Sequence, residues 1–381
     1  MKLTADRYAG ASSSLTLDTD ALSRYTDLVD LSIGDTDFVT DSRIIEAAAR
    51  DARAGYTHYG FPQGDPQLID AIRSSWKEDY NVDISRDEIF ISASSCLGMS
   101  QLMTAVLNPG DEVIVLAPYF ALYRQQIEMA GGVCVEVASY EEEAYALNAE
   151  RLEKAITPKT RAIILNNPCN PTGAAYTRTD LELLAETARK HDLMLIGDEI
   201  YTRYVFEGEF IPMLTLPGIR DRLVTLNSFS KNFMMTGWRV GCIICPPELR
   251  KVIQWVNGAQ IYTAPSISQR AAIEALAIRR DIEKLYVSRY RERMVYASDR
   301  IEKIPYMTIA RPRGTFYLFP SIKKTGLSSK AFCAEAVKQA HVLMSPGCAF
   351  GACGEGYVRI AATQPMEKLA AAFDRLEQMK F

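Results

Sequence analysis

Histidine is scarce in this sequence, and so are long runs of hydrophobic residues. Only three histidines occur among the 381 residues, at positions 58, 191 and 341, which argues against a histidine-rich metal site and against Ser–His–Asp catalysis. Apolar stretches such as residues 162–165 have the length of a strand, whereas a membrane-spanning helix needs roughly 18 to 20 apolar residues. We therefore expect neither a metal site nor a membrane-spanning segment.

A large excess of one sign of charge and a dense set of cysteines are also missing. The 43 lysines and arginines against 47 aspartates and glutamates leave a net charge of −4, so we expect no nucleic-acid partner and no membrane-surface role. The eight cysteines are spread over the chain, and the first ten residues lack the apolar core of a secretory signal. These features predict reduced thiols and a cytoplasmic location.

Short apolar runs alternate with helix-like segments over the first two thirds of the chain. The runs are rich in Val, Ile and Leu and lie at 89–91, 112–116, 161–165, 193–196, 223–226 and 240–244. Near-continuous apolar strands of this kind are buried on both faces. The pattern predicts an α/β fold in which a mostly parallel sheet is sandwiched by helices.

The pattern changes near residue 280. A long helix is predicted from 282 to about 304, then short strands near 307–309, 315–319, 342 and 358, and helices at 329–340 and 366–380. We predict two domains. Residues 41–280 form the larger one, and residues 1–40 together with 281–381 form a smaller α+β domain.

Polar groups follow the predicted strand at 223–226. The segment SFSK ends at Lys231, whose surroundings of small hydroxyl residues suit a buried amine able to form a Schiff base. Ser228 and Arg239 could bind a phosphate beside this amine. Taken alone, the segment is better explained by a solvated lysine in a turn, because most lysines are surface charges.

Two other predicted strands also end in polar groups. Asn170 begins the segment NPTG after 161–165, and Asp198 and Tyr201 follow 193–196. Singly, these are an ordinary turn and a helix N-cap. Because the carboxyl ends of parallel strands meet at one edge of a sheet, Asn170, Asp198, Tyr201 and Lys231 are expected to line one crevice, where open α/β sheets bind ligands.

The segments NPTG, DEIY, SFSK and TGWRVG, in this order and spacing, resemble the class I/II aminotransferases, which are fold type I pyridoxal-phosphate enzymes. The resemblance extends from LSIGDTDF to YVRIAAT. Within the family, the sequence looks especially similar to the branch that contains the bacterial aspartate and aromatic aminotransferases. The resemblance implies a homodimer with shared active sites that transfers an amino group from an L-amino acid to a 2-oxo acid. The alternative is a carbon–sulfur lyase or amino-acid oxidase of the same fold, and a DNA-binding regulator is disfavoured by the charge.

The resemblance also implies roles at the cofactor ring. Lys231 would bind the aldehyde of pyridoxal 5'-phosphate and later move the substrate α-proton. Asp198 would pair with the pyridine nitrogen, which makes the ring an electron sink. Asn170 and Tyr201 would hydrogen-bond the phenolic oxygen. Phe120 would stack on the ring, although core packing explains an aromatic residue there equally well.

A phosphate site and a substrate site are implied in the same way. The phosphate would lie at a helix start, where the dipole favours a dianion. Its ligands would be Ala93, Ser94, Ser95, Ser228, Arg239 and, across the dimer interface, Tyr59. The substrate α-carboxylate would meet the guanidinium fork of Arg359, with help from the Gly34 backbone and from Asn170.

Departures from the family pattern bear on the substrate side chain. Ser95 stands where some relatives carry a lysine that holds acidic side chains, and residues 257–264 offer Gln260 and Tyr262 where an arginine would be needed. These features slightly favour neutral or aromatic substrates over dicarboxylic ones. Arg124, close to Phe120, leaves the acidic option open.

Overall fold

The structure, a computed structural model, describes residues 25–381 together with residues 3, 5 and 8. Its strands are β1 (Val29–Asp30), β2 (Ile89–Ser92), β3 (Glu112–Ala117), β4 (Val133–Ala138), β5 (Thr160–Asn166), β6 (Met194–Asp198), β7 (Leu223–Ser228), β8 (Gly241–Ile244), β9 (Tyr317–Leu318), β10 (Val342–Leu343), β11 (Ser345–Pro346) and β12 (Val358–Ala361). The predicted strand at 307–309 is wrong, because Thr308 makes only an isolated bridge to Ser321.

The helices follow the sequence pattern closely. They are α1 (Ser42–Arg53), α2 (Pro66–Tyr80), α3 (Ser95–Val106), α4 (Leu122–Met129), α5 (Ala149–Ala155), α6 (Arg178–Lys190), α7 (Phe229–Asn232), α8 (Pro247–Gln260), α9 (Ser266–Ala277), α10 (Arg279–Ile282), α11 (Ser288–Ile301), α12 (Ser329–Ala340) and α13 (Met366–Glu377). A π-helical turn over Glu283–Val287 joins α10 to α11, so the predicted long helix is continuous but irregular.

Seven strands form the main sheet in the order β2-β8-β7-β6-β5-β3-β4. The strands β3 to β7 are parallel neighbours, which confirms the predicted mostly parallel sheet. Only β8 runs against both of its neighbours. Nothing in its apolar sequence distinguishes a parallel from an antiparallel strand.

The main sheet is buried on both faces, as its apolar strands predict. Alternate residues enter two separate clusters, one with Ile114, Ile163 and Leu195 and the other with Val115, Ile164 and Ile196. Helices α1, α2, α6 and α9 cover the first face, and α3, α4 and α8 cover the second. Each fully buried side chain of this size contributes about 1.5–3 kcal/mol to folding, so the sheet is a rigid support for its edge.

Two smaller sheets bring the ends of the described chain together. Strands β11, β12 and β9 form an antiparallel sheet, and β1 pairs in parallel with β10 through Val29 with Val342. The N-terminal strand therefore lies beside the C-terminal part. Most of residues 1–24, which the sequence pattern assigns to the same unit, fall outside the described residues.

Candidate active site

A cavity of about 270 Å³ opens at the carboxyl ends of β5, β6 and β7. These strands are adjacent, with Asn166 paired to Asp198 and Asp198 paired to Leu226. The polar segments that follow them therefore meet at one edge of the sheet. The structure brings nine predicted site residues into the cavity lining: Ser94, Ser95, Phe120, Asn170, Asp198, Tyr201, Ser228, Lys231 and Arg239.

Asp198 forms the buried end of β6 and is only 6% exposed. Its Oδ2 accepts a hydrogen bond from the buried Tyr123 hydroxyl, whereas its Oδ1 has no partner. Burial raises the pKa of Asp198 to about 6, and the Tyr123 hydrogen bond opposes that rise. An unsatisfied buried acceptor costs about 1–3 kcal/mol, so this atom is suited to a donor supplied by a ligand.

Lys231 lies in the one-turn helix α7, directly after β7. Ser228 caps this helix, since its Oγ accepts from the Ser230 backbone N–H at 3.1 Å. The Lys231 Nζ donates to the Gly34 carbonyl, and none of the ion pairs of the described residues involves it. The Tyr204 hydroxyl donates to the Lys231 carbonyl at 2.9 Å. The amine is thus placed at the cavity by a fixed backbone and is not neutralised by an acid.

The start of α3 forms one end of the cavity. Ser94 caps the helix, with φ of 89° and its Oγ accepting from the Leu97 backbone N–H at 3.2 Å. Strand β8 passes very close, because a Cβ on Gly241 would lie 2.7 Å from the Ser95 nitrogen. Only glycine allows this approach. The free N–H groups of the first helical turn favour an anion here.

Arg239 faces the same end of the cavity from an exposed turn. It has a left-handed backbone with φ of 54°, and its Nη1 donates to the Thr236 carbonyl at 2.8 Å. Ala93 precedes the helix cap and does not line the cavity, which Cys96 lines instead. This end of the cavity is therefore suited to an anion. It offers the Arg239 cation, the start of α3 and the hydroxyls of Ser94, Ser95 and Ser228.

Arg359 is a buried cation beside the cavity, in β12. Its Nη1 donates to Asn170 Oδ1 at 3.1 Å, and its Nη2 donates to Ser345 Oγ at 3.2 Å and to the Ser32 carbonyl. Its Nε has no partner, and none of the ion pairs of the described residues involves it. Burial lowers the pKa of Arg359. A buried guanidinium without an acid is costly, so it suits a carboxylate that arrives with a ligand.

Tyr317 contacts several of the predicted site residues but was not itself predicted from the sequence. Its hydroxyl lies 3.3 Å from that of Tyr201, and the Arg359 guanidinium lies 4.6 Å from its ring centre. A Cβ on Gly34 would lie 1.6 Å from the Tyr317 Oη, so any larger residue at position 34 would displace the Tyr317 ring. Within the apolar run GTFYLF no local signal marks this tyrosine.

Tyr123 was also missed, although a signal was present. Phe120 and Tyr123 both line the cavity, and Tyr123 follows Phe120 by three residues, in the first turn of α4. Their rings pack edge to face at 5.5 Å. A tyrosine one turn after the predicted stacking residue could have been expected to reach the same cavity.

Tyr59 does not reach the cavity within one chain. Its side chain is 81% exposed, and its ring packs at 5.0 Å on that of Tyr262, which is also exposed. Tyr56, Phe61 and Trp255 are further exposed aromatic residues on neighbouring segments. An exposed apolar patch of this kind is typical of a surface that contacts another protein.

Arg124 supplies no free cation for a substrate. Its Nη2 pairs with Glu136 at 2.6 Å, and its Nη1 pairs with Glu128 at 3.3 Å. The side chain also donates to the Tyr119 hydroxyl at 3.2 Å and does not line the cavity. The cations next to the cavity in the described part of the chain are Lys231, Arg239 and Arg359.

The described residues contain neither a metal-binding cluster nor a membrane-spanning helix. No group of three or more His, Cys, Asp or Glu side chains is arranged to hold a metal ion there. No helix of that part of the chain is long and apolar enough to cross a membrane.

Comparison with known proteins places this geometry in a family. The profile described as "Aminotransferase class I and II" matches residues 26–376. Aromatic-amino-acid aminotransferase 2 of Thermococcus litoralis is 38% identical over 92% of this chain and 91% of its own length. An aspartate aminotransferase of Pyrococcus abyssi is also 38% identical, over 93% and 92% of the two chains.

Solved structures agree with the sequence relatives. The aromatic aminotransferase from Pyrococcus horikoshii superposes with a TM-score of 0.90 at 35% identity, covering 94% of this chain and 97% of its own. Aspartate aminotransferase from Thermus thermophilus with maleate gives 0.93 at 31% identity, covering 99% and 100%. These relatives do not favour the lyase or oxidase alternative. The chain belongs to the class I and II aminotransferases, has their fold type I architecture, and is a transaminase.

Proposed function

We propose that the cavity binds pyridoxal 5'-phosphate and that the residues around it have the roles expected from the family. The observation that carries this proposal is the unpartnered Oδ1 of Asp198 in the lining that Lys231 shares. A pyridinium N–H is a donor that this buried carboxylate oxygen can accept from. The anion-binding end at Ser94 and Arg239 suits the phosphate of the same molecule.

The remaining groups fit the rest of such a ligand. When bound, pyridoxal 5'-phosphate supplies an electron sink for the negative charge left at the substrate α-carbon. Lys231 holds the aldehyde carbon and then moves the α-proton as a base. Asn170 and Tyr201 hydrogen-bond the phenolic oxygen, and Phe120 covers a ring face. Ser94, Ser95, Ser228 and Arg239 bind the phosphate, whereas Ala93, which does not line the cavity, is assigned no contact.

The substrate carboxylate is assigned to Arg359. Two of its guanidinium nitrogens already hold Asn170 and Ser345, and its unpartnered Nε is the donor left for an anion. The carbonyl of Gly34 accepts from Lys231 nearby, so the backbone there lies at the reacting end of the cavity. Arg359 therefore orients the amino acid with its α-carbon towards Lys231.

We propose L-amino acids with neutral or aromatic side chains as the preferred amino donors, and 2-oxo acids as acceptors. In the described part of the chain, the cations at the cavity are all assigned, and Arg124 is neutralised by Glu136. No described cation is left for a distal carboxylate. The named relatives include both aromatic and aspartate enzymes.

Two measurements test these assignments. Protein mixed with pyridoxal 5'-phosphate should develop the visible absorption of the lysine-bound cofactor, which Lys231→Ala should lose and the exposed Lys154→Ala should keep. A panel of amino acids should then convert the cofactor to its amine form. We expect kcat/KM for phenylalanine to exceed that for aspartate by at least about tenfold, or roughly 1.4 kcal/mol. A persistent band in Lys231→Ala, or a preference for aspartate, would contradict the corresponding assignment.

We also propose a homodimer in which Tyr59 reaches the phosphate of the partner's cavity. The exposed position of Tyr59 against the Tyr262 ring supports this, because its hydroxyl has no hydrogen bond among the described residues of one chain. Sedimentation should give twice the mass of the chain. Tyr59→Phe should weaken cofactor binding about threefold to tenfold, as expected for one lost hydrogen bond.

Two coarser assignments accompany the proposal. Residues 41–280 form the cofactor-binding domain and residues 1–40 with 281–381 the smaller one, since the seven-stranded sheet lies wholly within the first range. A cytoplasmic location agrees with the eight cysteines, which are all free thiols. Limited proteolysis and cell fractionation test these two assignments.

A further inference from the structure

Tyr123 lies behind the carboxylate that we assign to the cofactor ring. Its side chain is 2% exposed, and its hydroxyl donates to Asp198 Oδ2. Burial raises the pKa of Tyr123 well above its usual value, so the hydroxyl keeps its proton and remains a donor. The bond occupies one oxygen of Asp198 and leaves Oδ1 without a partner.

The packing around Tyr123 holds this donor in one place. Its ring is stacked on that of Tyr119 at 6.3 Å and meets Phe120 edge to face at 5.5 Å. One turn further along α4, Gln126 Nε2 donates to the Cys96 carbonyl at 2.8 Å, which ties α4 to the start of α3. A buried tyrosine has only two side-chain torsions, so little freedom remains for the hydroxyl to turn away.

We propose that Tyr123 is a positioning residue that keeps Asp198 ionised and directs its Oδ1 at the cofactor. It acts through Asp198 and does not itself touch the reacting atoms. A donated hydrogen bond favours the charged form of a carboxylate, whereas burial favours the neutral form. Without Tyr123 the buried acid would take up a proton and could no longer hold a positively charged nitrogen.

The other groups around Asp198 do not replace this bond. The charge of Asp198 raises the pKa of five neighbouring groups: Cys96 of α3, Tyr123 of α4, Cys169 after β5, and Glu199 and Tyr201 after β6. Lys231 and Arg239 line the same cavity. Of the described residues, only Tyr123 has a side-chain hydrogen bond to the Asp198 carboxylate. Among the described side chains, Tyr123 therefore supplies the hydrogen bond that favours the ionised form of Asp198.

The variant Tyr123→Phe removes the donor and keeps the ring. Its matched control is Tyr119→Phe, because Tyr119 is in the same stack but donates to Glu136 at 2.8 Å. The affinity of the cofactor-free protein for pyridoxal 5'-phosphate is measured by fluorescence quenching across pH 5 to 9, together with kcat and KM. In Tyr123→Phe we expect about tenfold weaker binding at neutral pH, a midpoint of the affinity profile moved to higher pH, and a fall in kcat larger than the change in KM. Tyr119→Phe should match the wild type.

The double variant Tyr123→Phe/Asp198→Asn tests whether Tyr123 acts through Asp198. If Tyr123 acts through Asp198, the double variant should bind and react like Asp198→Asn alone, since an amide at position 198 carries no charge for Tyr123 to stabilise. Additive losses would mean that Tyr123 acts by packing. If Tyr123→Phe does not fold, Tyr123→His returns an N–H donor, and its pH midpoint should lie near that of the wild type.

The inference rests on the proposed cofactor, but the two can fail separately. A wild-type protein that does not bind pyridoxal 5'-phosphate would overturn the proposed function and this inference with it. A wild-type protein that binds, with a Tyr123→Phe midpoint equal to that of wild type or of Tyr119→Phe, would overturn this inference alone.

Discussion

Two regions differ in whether a buried charged side chain has an oppositely charged partner: the cavity, and the contact between α11 and the segment before α1. At that contact the buried Arg293 forms a two-pronged ion pair with Asp37, whose side chain is 18% exposed, and both distances are 2.8 Å. In the cavity Asp198 and Arg359 have only neutral hydrogen-bond partners among the described residues, and each keeps one buried atom without a partner. The difference teaches that a buried charge with no opposite charge and with one polar atom left without a partner is a candidate ligand contact.

Desolvation explains why this contrast is informative. Taking an ion out of water costs several kcal/mol, which an ion pair recovers and neutral partners recover only in part. The protein satisfies this cost inside its framework, with Asp79 between Arg203 and Arg279 as a second example. At the cavity, the desolvation of Asp198 and Arg359 is not offset by an opposite charge from the described residues. We infer that binding of the cofactor and the substrate removes the cost there.

The largest effect on catalysis is expected for Asp198→Asn. The amide still accepts from Tyr123 but cannot hold a positive charge, so kcat should fall about 10²–10³-fold. The free energy of unfolding of the cofactor-free protein at pH 8 should be unchanged or higher, because a buried carboxylate without a counterion is gone. Steady-state kinetics and urea unfolding measure both quantities. A clearly destabilised variant would remove the contrast drawn above.

Arg359→Lys should have the next largest effect. The lysine keeps the charge but loses the planar fork, so KM for the amino acid should rise at least about tenfold while kcat changes less. Arg311→Lys is a suitable control, because Arg311 forms an exposed pair with Glu302. Equal effects of the two substitutions on KM would show that Arg359 is structural.

Asp37→Asn tests the framework side of the comparison. It leaves Arg293 beside a neutral amide, and we expect a loss of about 2–3 kcal/mol in the free energy of unfolding. KM should change less than in Arg359→Lys. Asp299→Asn, which breaks an exposed pair with Arg311, should stay within about 0.5 kcal/mol. The ion-pair argument fails if denaturation curves show Asp37→Asn to be as stable as that control.

The smallest effect on catalysis is expected for Glu199→Gln. Glu199 is fully buried, its Oε1 accepts from the Met213 N–H at 2.8 Å, and burial raises its pKa to about 8. The folded protein thus keeps a proton that the unfolded chain has lost above about pH 4.5, so stability falls as pH rises to 8. Glu199→Gln should flatten this fall between pH 6 and 8 by roughly 1 kcal/mol per pH unit. Melting temperatures of the wild type and the variant across that pH range test this prediction. An equal slope of stability against pH in the two proteins would show that a group other than Glu199 holds the proton.

Much of the framework could be predicted from local pattern. Helix α12 spans the predicted residues 329–340, and the strands β3, β5, β6 and β7 match the apolar runs to within two residues. Exact ends were less predictable. Thr177, Thr179 and Asp180 are all residues that commonly cap a helix, yet helix α6 begins at Arg178 with Thr177 as its cap, because Thr177 and Asp180 form a capping box.

The sequence by itself determined which polar residues end the strands of the main sheet. Asn170, Asp198 and Lys231 follow consecutive parallel strands, and parallel neighbours place such ends at one edge. Only the tertiary structure decided which distant side chains complete the cavity. Tyr123 reaches Asp198 across 75 positions, and Arg359 reaches Asn170 across 189. Periodicity along a chain reports which face a residue occupies, whereas packing between elements decides which groups meet there and which charges keep no partner.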